Sequence, residues 1–358
     1  MNLNRWIEER KTKPVLMKLP AYETQDYQPQ GAVPWNKAAV NDLLPWAEVE
    51  GQAPVGVIAD TGVDVYHPDL KPRIYNPINV TGDGPPSNVT DFNGHGTHVA
   101  GIGAKFGPPE ARHMPLKLFA KQPTGFEFQD GFLKLMEYNK QVYEADKIVA
   151  VNCSWGGPYD PILHSLIRTL NEQGTMVICS AGNAGDGDPK TQEIFNWPAY
   201  LYEPVTVSAV DSNLQPAKYS SSYDGVDLTA PGTDIESCWP GGGYKILSGT
   251  SMAAPHVYAL VLRIYAAWRK REGRYPTVDE AEAVLWQHVR QIKAAPELVG
   301  LGLVDFTYDR RRWPLYRVQL GAYYFESGAD TTAATIEKVR TERPDLKLEK
   351  PIKEKYVG

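Results

Sequence analysis

From Val55 onward the chain alternates short apolar runs with longer segments of helical periodicity. The predicted strands are Val55–Ala59, Leu116–Phe119, Ile148–Cys153, Met176–Ser180 and Val205–Val210; the predicted helices are His98–Lys105, Phe132–Tyr143, Pro161–Glu172, Ser251–Lys270 and Val278–Gln291. Because the strand candidates are apolar on both faces and alternate with helices, they indicate a parallel sheet covered on both sides. The sequence therefore predicts a three-layer α/β/α fold.

Charge and hydropathy exclude several classes of protein. The 358 residues carry a formal net charge of -6 and 42% apolar side chains, which is typical of a globular chain rather than a disordered one. No long Lys/Arg run provides a nucleic-acid footprint, and no segment has the apolar length of a membrane span. We therefore expect neither a nucleic-acid nor a membrane partner.

The N-terminus and the cysteines indicate the compartment. Charged residues such as Arg5, Glu8 and Glu9 lie where a signal peptide would have its apolar region. The three cysteines are odd in number, show no metal-ligand spacing, and are typical of a reducing environment. We expect a cytoplasmic protein.

Composition divides the chain into three parts. Residues 1–49 are polar and interrupted by prolines, which predicts an extended arm instead of an independently folding domain. The alternating pattern spans residues 50–310. In the remaining segment, residues 311–358, we predict one strand and one helix within 316–340.

Two short motifs contain groups suited to acid–base chemistry. Asp60 ends an apolar strand and precedes a glycine turn, a position where functional residues collect in open α/β sheets. His95 lies between two glycines at the start of a helix, whereas His98 falls on an apolar helix face and is expected to be structural. Taken alone, an Asp at the end of a strand is more often a turn or cap residue than a functional one.

A third motif places Ser251 at the start of an apolar helix, in Gly249-Thr250-Ser251-Met252-Ala253-Ala254-Pro255-His256. The backbone N–H groups and the positive end of the helix dipole favour a serine that must become an alkoxide. An N-cap serine is the simpler reading of this segment alone. Together, however, Ser251, His95 and Asp60 are a nucleophile, a base and a group that orients the base.

These segments resemble the three signature blocks of the subtilisin-like (S8) serine peptidases: D-T-G-V-D, H-G-T-H-V-A-G and G-T-S-M-A-A-P-H. The order Asp, His, Ser along the chain is that of subtilisin. The resemblance implies a subtilisin-like fold and a serine endopeptidase that forms an acyl-enzyme. It implies Ser251 as nucleophile, His95 as general base and then acid, Asp60 as orienting carboxylate, and Asn183 as oxyanion donor.

The resemblance also implies a peptide or protein substrate bound as a strand between two backbone edges. The implied substrate-binding residues are Ser154, Trp155 and Gly156 on one edge, Thr124, Gly125 and Phe126 on the other, and Asn196 near the base of the main specificity pocket. Trp155 and Phe126 are expected to line apolar subsites, unless they are buried core aromatics. A neutral Asn196 predicts no strict demand for a charged side chain, and hence broad specificity.

The arm is similar to the short N-terminal extension of intracellular subtilisins, the type that this chain resembles most. The segment Met17-Lys18-Leu19-Pro20-Ala21-Tyr22 carries this similarity and implies that the arm inhibits its own active site, as in a zymogen. A disordered arm is the alternative. Farther along, Pro34-Trp35 and Pro45-Trp46 are predicted to anchor the arm on the catalytic domain.

No cofactor is expected to be required for catalysis. Asp69 matches a position that ligates structural calcium in many relatives, but one carboxylate cannot supply the six or more oxygens of such a site. Asp186 and Asp188 are a second candidate calcium site, with a solvated turn as the alternative. The segment from Tyr316 to Tyr323 resembles the first strand of SPOR domains and implies contact with cell-wall glycan.

Two alternatives stay open at this level. The same triad could serve a dedicated processing protease or transpeptidase that acts on one partner. The fold could also be kept as a catalytically silent peptide-binding protein, although the intact set of Asp60, His95, Ser251 and Asn183 argues against this.

Overall fold

The computed structural model describes residues 17–18, 23–25, 34–42, 46–121, 124–193, 196–307, 316–320 and 323–327. The strands are β1 Glu23–Gln25, β2 Val55–Asp60, β3 Ile78–Asn79, β4 Arg112–Lys117, β5 Ile148–Cys153, β6 Met176–Ser180, β7 Val205–Val210, β8 Leu228–Pro231, β9 Ile235–Trp239, β10 Gly243–Ser248, β11 Val289–Arg290, β12 Leu303–Val304, β13 Tyr316–Leu320 and β14 Tyr323–Ser327. The helices are α1 Trp35–Ala39, α2 His95–Phe106, α3 Glu127–Gln141, α4 Pro161–Glu172, α5 Thr250–Glu272, α6 Val278–Leu285 and α7 Pro296–Val299.

Within the described residues, the central sheet has nine strands in the order β11-β12-β8-β7-β6-β5-β2-β4-β3. All of its pairings are parallel except that between β11 and β12. Successive strand residues face different cores: Ile58 packs in the apolar cluster that contains α5, while Val57 and Ala59 pack in the cluster that contains α3 and α4. Burial on both faces confirms the three-layer α/β/α fold.

Parallel pairing brings the carboxyl ends of three strands together. Strand β5 lies between β2 and β6, with Ala59 in register with Cys153 and Cys153 in register with Cys179. The residues that follow these strands therefore share one edge of the sheet, where α/β folds form their sites.

The predicted boundaries agree with the structure for β5, β6 and β7, which are fully buried and mainly apolar. Strand β4 occupies Arg112–Lys117 and not the predicted Leu116–Phe119, because His113 and Pro115 interrupt its apolar pattern. Helix α6 starts at the predicted Val278, where Thr277 and Glu280 form a capping box, but it ends at Leu285 and not at the predicted Gln291, and β11 follows it.

The segment 34–49 packs against the domain through its described residues. Val40, Trp46 and Val49 are buried in the cluster around α5, and the Trp46 indole N–H donates to the Phe306 carbonyl at 2.7 Å. The Arg263 guanidinium donates to the Asp42 carboxylate at 2.9 Å, with both side chains buried. These contacts agree with the predicted anchors, of which Pro45 lies outside the described residues.

At the other end, β13 and β14 form an antiparallel pair. A single strand was predicted for this segment, so that prediction was wrong; the predicted helix lies outside the described residues, and the glycan contact stays a prediction. Among the helices that the structure describes, none has the length and apolar character needed to cross a bilayer.

Candidate active site

Asp60 and His95 meet at the carboxyl edge of the sheet. Asp60 is the last residue of β2, His95 is the first residue of α2, and both side chains are fully buried. The His95 Nδ1–H donates to Asp60 Oδ1 at 2.8 Å, and the Thr61 backbone N–H donates to the same oxygen at 2.7 Å. Because the carboxylate accepts from Nδ1, the neutral ring has Nε2 as its proton-accepting nitrogen.

The glycines around His95 allow this close approach. Gly94 has φ of +97°, in the left-handed region, and a Cβ there would overlap the Trp239 ring. A Cβ on Gly96 would overlap the Gly62 carbonyl oxygen and lie 3.0 Å from the Asp60 Cβ. Glycine is therefore required on both sides of His95 for the helix to start against the end of β2.

Sequence reasoning missed Asp91, which organises the same turn. Its buried carboxylate accepts from Thr61 Oγ1 at 2.9 Å, from the Gly94 N–H at 2.8 Å, and from both the N–H and Oγ1 of Thr97 at 2.9 and 2.7 Å. A carboxylate at a helix N-terminus satisfies unpaired N–H groups and complements the helix dipole. Its position four residues before His95, at a predicted helix start, is the signal that could have identified it.

Ser251 is the second residue of α5, so its backbone N–H has no acceptor within the helix. Its hydroxyl donates to the Ser154 carbonyl at 3.2 Å. In return, the Ser154 hydroxyl donates to the Ser251 carbonyl at 3.0 Å, an oxygen that lacks its helical partner because Pro255 has no N–H. The end of β5 therefore holds the start of α5 from both directions.

Asn183 is tied to the same helix start. Its Oδ1 accepts from the Thr250 N–H at 2.9 Å and from Thr250 Oγ1 at 2.8 Å. With the oxygen held by Thr250, the NH2 group is the end of the amide turned away from that residue. This orientation is compatible with the predicted oxyanion donor, which stays a prediction.

The other two histidines near the site are structural. The His98 ring donates from Nε2 to the carbonyls of Ile235 and Lys245 at 3.1 and 3.0 Å, which ties α2 to β9 and β10. The His256 Nδ1–H donates to the Met252 carbonyl at 2.9 Å within α5. Burial lowers the pKa of both rings to about 3, so they are neutral. The structural assignment predicted for His98 is confirmed.

Gly156 forms a strand edge that already has a partner. The Lys18 N–H donates to the Gly156 carbonyl at 2.8 Å, and the Gly156 N–H donates to the Lys18 carbonyl at 3.0 Å, as an antiparallel bridge. Met17 is 6% exposed and packs in the apolar cluster of α3 and α4, whereas Lys18 is exposed. The edge at Gly156 therefore pairs with an extended segment of the arm, and an apolar site beside it holds the side chain of the neighbouring residue, Met17.

Trp155 does not have the exposed face expected of a subsite. It is fully buried, its indole N–H donates to the Ala59 carbonyl at 2.7 Å, and its ring packs edge-on against Phe128 and Phe132. The prediction that Trp155 lines a subsite was therefore wrong, and Trp155 is the buried core aromatic that the alternative described. It shares its apolar cluster with Met17.

The opposite wall, residues 124–126, is held by Glu127, which sequence reasoning missed. The buried Glu127 carboxylate accepts from the N–H and Oγ1 of Thr124 at 2.6 and 2.9 Å and from the Gly125 N–H at 2.8 Å. The T-x-x-E spacing was the available signal. Thr124 is exposed and Phe126 half-buried, so both can reach a substrate.

Asn196 lies between the two segments that would flank a substrate side chain. Its Nδ2 donates to the Ser180 carbonyl at 3.0 Å, and a Cβ on Gly156 would overlap its amide. A Cβ on Gly182 would lie 3.2 Å from its Nδ2. The amide thus fills the space between the two glycines, where the base of a pocket was predicted.

The carboxylates predicted to ligate calcium accept hydrogen bonds from groups of the protein. Asp69 accepts from the Tyr244 hydroxyl at 2.8 Å. Asp186 accepts from the Asp188 N–H at 2.8 Å, and Asp188 accepts from the Lys190 N–H at 3.0 Å, which is the pattern of a turn. Calcium at any of them stays a prediction.

Comparison with known proteins shows similarity to serine proteases of one family. Residues 52–302 match the model of the subtilase family. The chain is 36% identical over 273 residues to an intracellular serine protease of Paenibacillus polymyxa, covering 73% of this chain and 82% of that protein. It is 32% identical over 274 residues to the major intracellular serine protease of Bacillus subtilis (strain 168), covering 73% and 84%. It is 31% identical over 296 residues to subtilisin Savinase of Lederbergia lenta, covering 76% and 97%.

Proposed function

The chain belongs to the subtilase family and is a serine endopeptidase, and from this premise we propose that Ser251, His95 and Asp60 are its catalytic triad, with Asn183 as oxyanion donor. The observation that carries the proposal is the buried 2.8 Å hydrogen bond from His95 Nδ1 to Asp60, at the sheet edge where Ser251 lies in the first turn of α5.

The proposed reaction follows from these positions. Ser251 Oγ attacks the peptide carbonyl carbon while His95 Nε2 takes the hydroxyl proton, and Asp60 stabilises the imidazolium that forms. The Ser251 backbone N–H and the Asn183 amide donate to the oxyanion. His95 then protonates the leaving amine, and a water deprotonated by the same nitrogen hydrolyses the acyl-enzyme.

The substrate is proposed to bind as an extended strand on Gly156, as Lys18 does. Main-chain hydrogen bonds supply affinity without regard to sequence, and apolar subsites such as that of Met17 supply selection at alternate positions. This arrangement supports broad specificity. Substrate profiling would separate it from a processing enzyme or transpeptidase restricted to one partner.

Active-site labelling tests the nucleophile. A fluorophosphonate probe should label the chain, and Ser251→Ala should abolish both labelling and peptide hydrolysis, because the members of a triad act as a unit. Ser165→Ala, a serine on the exposed face of α4, is the matched control and should be labelled like the unaltered chain. Labelling that survives in Ser251→Ala would refute the assignment.

We further propose that the arm inhibits the enzyme. Two backbone pairings support this proposal. Lys18 pairs with Gly156, which follows closely after Ser154, the residue in contact with Ser251. Glu23 of β1 pairs with Ser248 of β10, three residues before Ser251. The arm is thus attached both at the edge that follows β5 and at β10, the strand that leads into the helix of Ser251. A tethered segment faces its site at millimolar effective concentration, so weak contacts suffice to keep the cleft occupied.

Removal of the arm tests this. Deletion of residues 1–25 should raise kcat/KM on a small peptide, while residues 34–42 and 46–49 stay in place because Val40, Trp46 and Val49 pack in the core. Met17→Asp should activate partially without shortening the chain, because a carboxylate is unfavourable in an apolar site. Lys37→Ala, on a partly exposed residue of α1, is the matched control. Equal kcat/KM for the truncated and full-length chains would refute inhibition.

The place of action is proposed by analogy. Two of the relatives are named as intracellular proteases, and we propose that this chain also acts in the cytoplasm. A protease in that compartment requires control of its cleft, with which an inhibitory arm is consistent.

A further inference from the structure

A cluster of three metal-ligating side chains lies on the face of β9 that packs against the helix of His95. Among the residues that the structure describes, His67, Asp69 and Cys238 are the group of this kind whose ligand atoms all lie within 4.8 Å of one another. His67 and Asp69 follow β2 in the chain, while Cys238 is on β9. The fold therefore brings together an imidazole, a carboxylate and a thiol that are about 170 residues apart in the sequence.

His67 is held in the manner of a metal-binding histidine. Its Nε2–H donates to the Gly243 carbonyl at 2.9 Å, which leaves Nδ1 as the nitrogen with a lone pair. Nδ1 accepts only a long hydrogen bond, 3.2 Å, from the Asp69 N–H. Donation of one ring N–H to a backbone carbonyl is the usual way in which proteins fix the tautomer and orientation of a histidine ligand.

The other two ligands have complementary exposure and support. Cys238 is buried, whereas Asp69 is exposed and accepts from the Tyr244 hydroxyl at 2.8 Å. The Tyr244 ring also packs edge-on against His67, with 5.4 Å between ring centroids. His67 and Cys238 are therefore buried in the protein, and Asp69 lies on the solvent side of the cluster.

The donor set selects the kind of ion. Thiolate and imidazole suit zinc, whereas calcium takes six to eight oxygen ligands and does not favour sulfur. We propose that His67, Asp69 and Cys238 bind one Zn²⁺ ion, with a water molecule completing a tetrahedral site on the exposed side. Binding releases the Cys238 thiol proton to solvent.

Such an ion would act on the active site through packing. A Cβ on Gly101 of α2 would overlap Ser237 Oγ and lie 2.8 Å from the Cys238 sulfur, so β9 lies directly on the helix that begins with His95. The Ser237 hydroxyl donates to the His98 carbonyl at 2.7 Å. Zinc would therefore join the segment after Asp60 to β9 and stabilise the fold around α2.

The test is metal binding by the full-length chain after treatment with a chelator. Calorimetric titration with Zn²⁺ should give one ion per chain, and Co²⁺ in its place should give a thiolate-to-metal charge-transfer band. Cys238→Ser should remove that band and weaken zinc binding at least about 100-fold, since loss of outer-shell partners alone costs about 10–100-fold. Saturating zinc should raise the Tm of the unaltered chain but not that of Cys238→Ser.

Two further variants keep the test decisive. Asp69→Asn, on an exposed side chain, should fold normally and weaken zinc binding, whereas Asp186→Asn, on an exposed carboxylate outside the cluster, should bind like the unaltered chain. Zinc should also protect Cys238 from alkylation, which needs no variant. An unaltered chain that shows no charge-transfer band, or binding that survives in both Asp69→Asn and Cys238→Ser, would overturn the proposal.

Discussion

The ion pair between Asp42 and Arg263 tests whether residues 34–49 are part of the folded domain. Arg263 Nη1 donates to Asp42 Oδ1 at 2.9 Å, and the two side chains are 8% and 7% exposed. The guanidinium also lies 4.9 Å from the centroid of the Phe306 ring. Burial lowers the pKa of Arg263 and Asp42 opposes that shift, so the carboxylate offsets part of the cost of burying this charge.

Replacing Asp42 with Asn removes that charge and leaves the guanidinium buried. Loss of one partner from a buried ion pair costs about 3–5 kcal/mol. Because the whole free energy of unfolding of a protein is about 5–15 kcal/mol, this loss is a large fraction of it. The Tm should therefore fall by roughly 10 °C. Urea unfolding followed by tryptophan fluorescence measures the change, because the midpoint shifts while the slope stays constant.

The double variant Asp42→Ala, Arg263→Met is the control that separates charge from packing. Because apolar replacement of a whole buried pair is often neutral, it should recover most of the stability lost in Asp42→Asn. If Asp42→Asn lowered the free energy of unfolding by less than about 1 kcal/mol, the reasoning would be refuted, since removal of the anion from a buried pair should destabilise the fold by more than that. A double variant as unstable as the single one would show that packing, not charge, holds the segment.

Two further predictions concern catalysis and pH. Asn183→Ala should lower kcat on a peptide substrate by about 10²–10³-fold with little change in KM, a range that comes from subtilisin itself; an unchanged kcat would remove Asn183 from the site. Burial lowers the pKa of His98, His113 and His256 to about 3, so below about pH 6.5 the unfolded chain takes up protons that the folded chain does not. The stability that these neutral rings contribute to the folded state is fully present above about pH 6.5 and is lost as the pH falls toward 3. The free energy of unfolding should fall by about 1.4 kcal/mol per pH unit for each ring. Urea unfolding at several pH values measures this slope, and it should be shallower in His113→Gln; an identical slope in that variant would contradict the account.

The central strands could be predicted from sequence because burial on both faces leaves short runs that are mainly apolar. Strands β5, β6 and β7 have the predicted bounds for this reason. Strand β4 could not be placed, because the buried His113 pairs with the Tyr258 hydroxyl at 2.9 Å and so breaks the apolar run without leaving the core. Long-range partners of this kind have no local signature.

The site shows the same division. Asp60, His95 and Ser251 lie in continuous motifs, and each motif contains a glycine together with the strand end or helix start that its geometry requires. Trp155 could not be assigned from sequence, because an aromatic residue after a strand suits both a cleft and a core. Cys238 shows no metal-ligand spacing, since its neighbours in the cluster come from a segment far away in the chain.

Ser154 shows why a motif match understates what a residue does. The resemblance assigns it to a substrate-binding edge, yet its hydroxyl and carbonyl each bond to Ser251. The reason lies in Pro255: a proline one turn into α5 removes the N–H that would bond to the Ser251 carbonyl, and the Ser154 hydroxyl supplies the missing donor. Asn152 in turn donates to that hydroxyl at 2.9 Å, which fixes the direction of its proton. The edge proposed to receive a substrate strand and the helix that holds the proposed nucleophile are thus joined by one hydrogen-bond chain, so under that proposal the distance between a bound peptide and Ser251 is set by β5 itself.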